Sequence, residues 1–532
     1  MKNTCLYPFY EYILKNWLHS GFAMPEYNDR FHSTVYMATE GESVKLAERK
    51  KDIWEKTRLI LQQDSLGQRD MLQELLKQTV QCDLCFVCKN CEEKYWNALK
   101  EILLDEESHD SEPYKSDFLI PEEMKELLRQ RERPVDIYID NYRHRFFDER
   151  NILVMLKGFS SSTPILLNYA HNTNFYSGGG FYIQWNGVGI AVDPGYLFVQ
   201  NLQDYGLNVL DIDIVIITHE HIDHSSDMRI LDDLHYNVSS HYTEKIDRWD
   251  EEHSAVSRVE KEKHKIKWYM DSVTCEEAVL LAKKQSGFDG KYNQLYCINI
   301  ADEDSLALEK KFQGYAEIVS DKTVKLSEAI DLHVFRTAHE QYKENGKDKF
   351  FLHTFGCTFE CGTDTKTKRV IGYTSDTSLQ EEVYPEMKEL LSQCHVIIAN
   401  ISGIYRQDIL LRKSKPRHLG YSGCYRIVAD LMQNEKFDLK YLLISEFSNQ
   451  VSDIRFGVSK YLQDEVNELA RRKGVLAPNI LPTEIALTLD VDTFRVRCSI
   501  CGKYAEKIHI LRPHGENNKM QYVCPECMYS GK

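Results

Sequence analysis

The segment VIITHEHIDHSSD, residues 215–227, constrains this chain more than any other stretch. Three histidines and two carboxylates take five of the six positions 219–224, just after an apolar run. The β-branched residues of 212–217 predict a strand. Where a strand ends the backbone is free to turn, so His219 and His221 can face one metal ion while Asp223 and His224 face a second. Imidazole and carboxylate together suit zinc, and also manganese or iron.

The pattern around this motif predicts an α/β layered domain. GGGFYIQWNGVGIAVDPG (178–195) contains two strand-like runs broken by Asn186-Gly187, a strong hairpin signal. Further β-branched runs follow at DIDIVIIT, LHVFRTAH, KRVIGYTSD, CHVIIANIS and LKYLLISEF, with helical patterns such as YSGCYRIVADLMQ and VSKYLQDEVNELARRKG between them. Strands interleaved with helices place active groups at strand ends. Residues 1–150 are charged, with apolar residues at helical intervals over 57–80, and predict an N-terminal helical region with a boundary near 150. Residues 225–330 form a Lys/Glu-rich insertion, helical in part, that could serve as a substrate arm or lid.

The H-x-H-x-D-H signature resembles that of the metallo-β-lactamase fold superfamily, and the likeness extends over roughly 152–485. It implies an αβ/βα sandwich over 151–487, with a site for two divalent ions at the open edge of its sheets. By this resemblance SGGG and AVDPG stand for the first motif, with Asp193 orienting the site from beneath, and Asp376 in IGYTSDT would bridge both ions. The remaining upstream ligand is His339, at the end of LHVFRTAH, with His333 and His353 as alternatives.

The last motif departs from the ribonuclease-Z-like pattern, in which a histidine opens a helix and a later strand supplies a final ligand histidine. PRHLGYSG offers His418, and 28 residues on, LLISEFSNQ carries Glu446 where that last histidine would stand. Either Glu446 is the ligand and His418 donates a proton to the leaving oxygen, or His418 is the ligand and Glu446 lies behind it. A metal-bridging hydroxide, formed because divalent ions lower the pKa of water to about 7, would then attack phosphorus or a carbonyl carbon.

Of fifteen cysteines, eight fall in two tight clusters, which suits thiolate metal binding in a reducing compartment. Cys498 and Cys501, then Cys524 and Cys527 after 22 intervening residues, predict a structural zinc ribbon over 488–532. Cys82, Cys85, Cys88 and Cys91 recur every three residues and suit zinc or a [4Fe-4S] cluster.

A net charge of -16 argues against broad adhesion to polyanions. No stretch approaches the roughly 18 apolar residues of a membrane helix, and the cysteine usage and the N-terminal sequence lead to the expectation of a cytoplasmic protein. The leading expectation is a two-metal phosphodiesterase or nuclease acting on RNA, DNA or a nucleotide. The alternatives are a hydrolase of a small ester, lactone or thioester, and a partner-regulated interaction protein that docks through its N-terminal region or ribbon.

Overall fold

The computed structural model describes residues 134–135, 137–139, 150–160, 163–171, 176–252, 265–284, 287–344, 347–350, 353–364, 367–402, 404, 418–447, 453–511 and 519–530. Cys82, Cys85, Cys88, Cys91 and nearly all of the expected N-terminal helical region lie outside them. The strands β1 (Ile152–Met155), β2 (Phe181–Trp185), β3 (Val188–Val192) and β4 (Ile214–Ile217) come first. They are followed by β5 (Ile266–Asp271), β6 (Asn293–Ile298) and β7 (Ala316–Val319). Next come β8 (Thr323–Ser327), β9 (Ile330–Arg336), a small hairpin of β10 (Glu340–Glu344) and β11 (Lys347–Phe350), and β12 (Phe355–Cys361). β13 (Arg369–Tyr373), β14 (Val396–Asn400), β15 (Tyr441–Ser445) and β16 (Asn479–Pro482) precede β17 (Thr488–Asp490). The C-terminal strands are β18 (Arg495–Arg497), β19 (Tyr504–Ala505), β20 (His509–Leu511) and β21 (Gln521–Val523).

These strands build two large sheets. One runs in the order β19-β18-β17-β1-β2-β3-β4-β5-β6-β7 and the other β16-β15-β14-β13-β12-β9-β8. The pleat sends alternate side chains to opposite faces. Leu153, Met155, Ile214 and Ile216 of the first sheet therefore meet Ile371, Val396, Ile398 and Leu443 of the second in one shared core. The alternate positions Val154, Val215 and Ile217 face outward, where they pack with Phe198, Leu202 and Leu231 from helices Phe198–Tyr205 and Met228–Glu252. Ile397, Ala399, Leu442 and Ile444 do the same on the other side, against helices Tyr384–Leu391, Tyr421–Leu431 and Arg455–Lys473. The layers are thus helix, sheet, sheet, helix, the expected αβ/βα sandwich.

Asn186 and Gly187 take φ of 49° and 79°, the left-handed pair that a two-residue hairpin of this twist requires, and Trp185 pairs with Val188 across them. The charged stretch 225–330 supplies β5, β6 and β7, which continue the first sheet in parallel, and buries Trp268, Met270 and Cys297. Its exposed Lys283, Lys284, Lys310 and Lys311 lie on helices outside the sheet or just beyond them. No helix among the described residues is long and apolar enough to cross a membrane.

Candidate metal centre

Each central side chain of the site follows the end of a strand. Lys157 follows β1, Asp193 follows β3, and the turn bearing His219, His221, Asp223 and His224 follows β4. His339, Asp376 and Glu446 follow β9, β13 and β15, and Asn400 closes β14. Three of these ends contain a non-glycine residue in the left-handed region: Asp193 (φ 49°), Ser375 (φ 50°) and Glu446 (φ 70°). Such backbone is costly for L residues and persists where surrounding structure fixes it. Gly195 shows how tightly the edge is built, since a Cβ there would stand 1.9 Å from the carbonyl oxygen of Asp223.

Two groups of donor atoms converge. His219, His221, His339 and Asp376 present ligand atoms within 4.8 Å of one another, and Asp223, His224 and Glu446 form a second set by the same measure. Asp376 Oδ2 lies between them, 3.6 Å from His224 Nε2, 3.7 Å from His339 Nε2 and 3.6 Å from His418 Nδ1. Its other oxygen accepts a hydrogen bond from Asn400 Nδ2 at 3.1 Å, which fixes the rotation of the carboxylate.

Behind the donors, Asp193 acts as a hub. It accepts from the Thr218 amide at 2.7 Å, from the Thr218 hydroxyl at 2.8 Å and from Tyr373 at 2.8 Å, and pairs with His224 Nδ1 at 2.7 Å. This leaves His224 Nε2 pointing into the site. His219 Nε2, His224 Nε2 and Glu446 Oε2 are buried without hydrogen-bond partners, while Glu446 Oε1 is paired with Lys157. A fold leaves such groups unsatisfied at a cost of about 1–3 kcal/mol each, so donors orphaned together around one point fit a bound cation.

The electrostatics differ between the two donor groups. Burial and the neighbouring imidazoles hold His219 well below the usual histidine range, and burial with His339 and His224 brings His221 down to about 4, so both are neutral and free to ligate. Burial would raise Asp376, but His224, His418 and His339 hold it well below the carboxylate range. Burial and Lys157 push His224 down, yet Asp193 and Asp376 outweigh them and raise it to about 9. Burial and Asp193 keep Tyr373 a neutral donor.

All eight residues expected at the centre therefore meet at one sheet edge. Glu446 is 3% exposed and its Oε1 stands 3.1 Å from His224 Nε2, whereas the His418 side chain is 28% exposed at the rim. His333 instead bonds Thr323 at 2.9 Å within the sheet, and His353 bonds Ser272 at 2.9 Å. Lys157 and Asn400 were not legible as site residues; the only sequence signal was a polar residue closing an apolar run. Lys157 is 2% exposed, pairs with Glu446 Oε1 and donates to the Asp223 carbonyl at 3.2 Å.

Residues 187–388 match the family model of the metallo-beta-lactamase superfamily. This is a metallo-β-lactamase-fold domain. The metallo-β-lactamase fold protein YhfI from Bacillus subtilis shares 13% identity over 63% of this chain and 98% of that one, with a TM-score of 0.38. Human tRNase Z, short form, shares 14% over 64% and 99%, with a TM-score of 0.39. Unliganded yeast PDE1 shares 12% over 62% and 97%, with a TM-score of 0.38. No curated protein matches the chain.

Beyond the metallo-β-lactamase-fold sandwich, Cys498, Cys501, Cys524 and Cys527 bring their sulfurs within 4.8 Å of one another. Burial would raise Cys498, but the amides of Cys501, Cys524 and Ile500 point at its sulfur and bring it down to about 6. A four-thiol set of this kind is consistent with a small zinc ribbon. Its strands β18 and β19 extend the first sheet, and Met520 donates its amide to Glu484 at 3.3 Å.

Proposed function

We propose that this centre is that of a metal-dependent hydrolase acting on phosphodiesters, either a nuclease or a nucleotide phosphodiesterase. The observation that carries the reading is the convergence of two donor groups on Asp376, with inward atoms of His219, His224 and Glu446 left without hydrogen bonds. His219, His221, His339 and Asp376 would hold one divalent ion; Asp223, His224, Glu446 and the same Asp376 would hold a second. Zinc suits these donors best, with manganese or iron next. Ions held there supply Lewis-acid polarisation and a water acidified to a pKa of about 7.

The chain's own groups complete the chemistry. Asn400 holds one oxygen of Asp376 so that the other faces both donor groups. Asp193, through Thr218 and His224, fixes the turn and the ring orientation. His418, partly exposed at the rim 3.6 Å from Asp376, is read as the group that would give a proton to a departing oxygen. Glu446, buried among the donors, is read as the ligand, and of the two assignments open from the sequence this is the one the burial favours.

The test is hydrolysis of end-labelled RNA and DNA, a chromogenic phosphodiester and a chromogenic carboxylic ester by the protein supplied with zinc or manganese. Phosphodiester cleavage that falls to background in His221→Ala and Asp223→Ala is the expected result. Turnover of the ester alone would replace this reading with that of a small-ester, lactone or thioester hydrolase. A folded, metal-loaded protein that cleaves nothing would favour an interaction protein.

A further inference from the structure

The second donor group contains a cation of its own. Lys157 is almost wholly buried, its ammonium pairs with Glu446 Oε1, and it donates to the carbonyl of Asp223 at 3.2 Å. In the first donor group the shared carboxylate of Asp376 is paired with His224, His339 and His418, and among the described residues no lysine or arginine pairs with it.

The backbone that carries the lysine is held on both sides. Its backbone is held on one side by the hydrogen bond from the Leu156 amide to Gly180, at 3.1 Å, and on the other by the bridge between Phe159 and Phe447. Gly158 between them abuts Arg455, whose guanidinium would lie 2.3 Å from a Cβ at that position. Arg455 is itself fixed by Asp453 and Glu484.

We propose that Lys157 makes the two metal positions unequal: the group of His219, His221, His339 and Asp376 holds one divalent ion firmly, while the group of Asp223, His224 and Glu446 holds its ion weakly and exchangeably. The inference rests on the reading of these residues as metal ligands. The physical reason is that a divalent ion at the second group meets a unit positive charge within a few ångströms in a poorly screened interior, and competes with that charge for Glu446. A consequence is that the second ion is supplied from solution, so activity follows the free divalent concentration.

The probe is Mn2+, whose preference for oxygen and nitrogen donors leaves a zinc-filled ribbon undisturbed. Binding to the full chain is followed by calorimetry and by the electron paramagnetic resonance of free Mn2+. The native protein is expected to bind one equivalent tightly and a second on the order of a hundredfold more weakly. Lys157→Met and Lys157→Gln are expected to tighten the second equivalent toward the first, and Lys157→Arg to leave it weak. Two equivalents of matched affinity in the native protein, or a second equivalent as weak in Lys157→Met and Lys157→Gln as in the native chain, would overturn the proposal. If Mn2+ binding is absent, or is unchanged in His221→Ala, the ligand reading itself falls and takes the proposal with it.

Discussion

Asp193 touches no donor atom that faces the cavity, yet it joins Thr218, His224 and Tyr373. Asp193→Asn keeps the shape and removes the charge that orients His224, so metal affinity is expected to fall about 10–100-fold, measured by competition with a chromogenic chelator. The site histidines also set a pH dependence for the metal-free protein. His221 is displaced from 6.5 to about 4, so its contribution to stability is present above 6.5 and is lost as pH falls toward 4. His224 is displaced the other way, to about 9, so its contribution is complete below 6.5 and is lost as pH rises through 9. The Tm of chelated protein is therefore expected to fall in both windows; added divalent ion should flatten the slope above 6.5, by replacing the proton on His224, and steepen the one below it, because protons compete with the ion for His221. At this scale the HEHIDH side chains were legible as candidate ligands because their residue types are crowded at a strand end. Lys157 and Asn400 were not, since their significance depends on β1 and β14 ending at the same edge as β4 and β15, a long-range fact that no local spacing encodes.

Strand ends position the centre, and their rigidity comes from packing behind them. Arg455 is fully buried, bonds Asp453 and Glu484, donates to the Thr483 carbonyl and lies 3.9 Å over the Phe159 ring. Arg455→Met would strand two buried carboxylates, and a loss of about 3–5 kcal/mol is expected, read from denaturant unfolding. Gly195→Ala places a methyl group on the carbonyl of Asp223. The turn must shift, and an overpacking cost of about 1–3 kcal/mol should come with loss of metal binding. Strands β4, β13, β14 and β15 were legible as β-branched runs whose alternate residues fill two cores. The stretch 225–330 was less so: its exposed lysines and glutamates dominate the composition, while the residues that insert β5 and β6 into the sheet, such as Trp268 and Leu295, are few and widely spaced.

At the scale of the whole molecule, the sandwich and the cysteine cluster are joined through Glu484, which bonds both Arg455 and the Met520 amide, and through Tyr522, whose hydroxyl donates to the Pro482 carbonyl. The cluster has a small core, so zinc is expected to supply much of its folding energy. Cys498→Ser should expose the C-terminal segment to limited proteolysis while leaving the sandwich protected, and cleavage at the same rate as in the native chain would count against a structural metal. The choice between His418 and Glu446 belongs to this scale as well: both were visible in the sequence, and only the assembled sheet edge shows one buried among the donors and the other at the rim.

The most direct measurement is anomalous X-ray scattering from crystals of the protein soaked with Mn2+. A peak bounded by His219, His221, His339 and Asp376, absent from crystals of the His221→Ala variant, is the expected result. Mn2+ bound only elsewhere on the surface, with these four side chains ordered and unligated, would contradict the assignment of this edge as a metal centre.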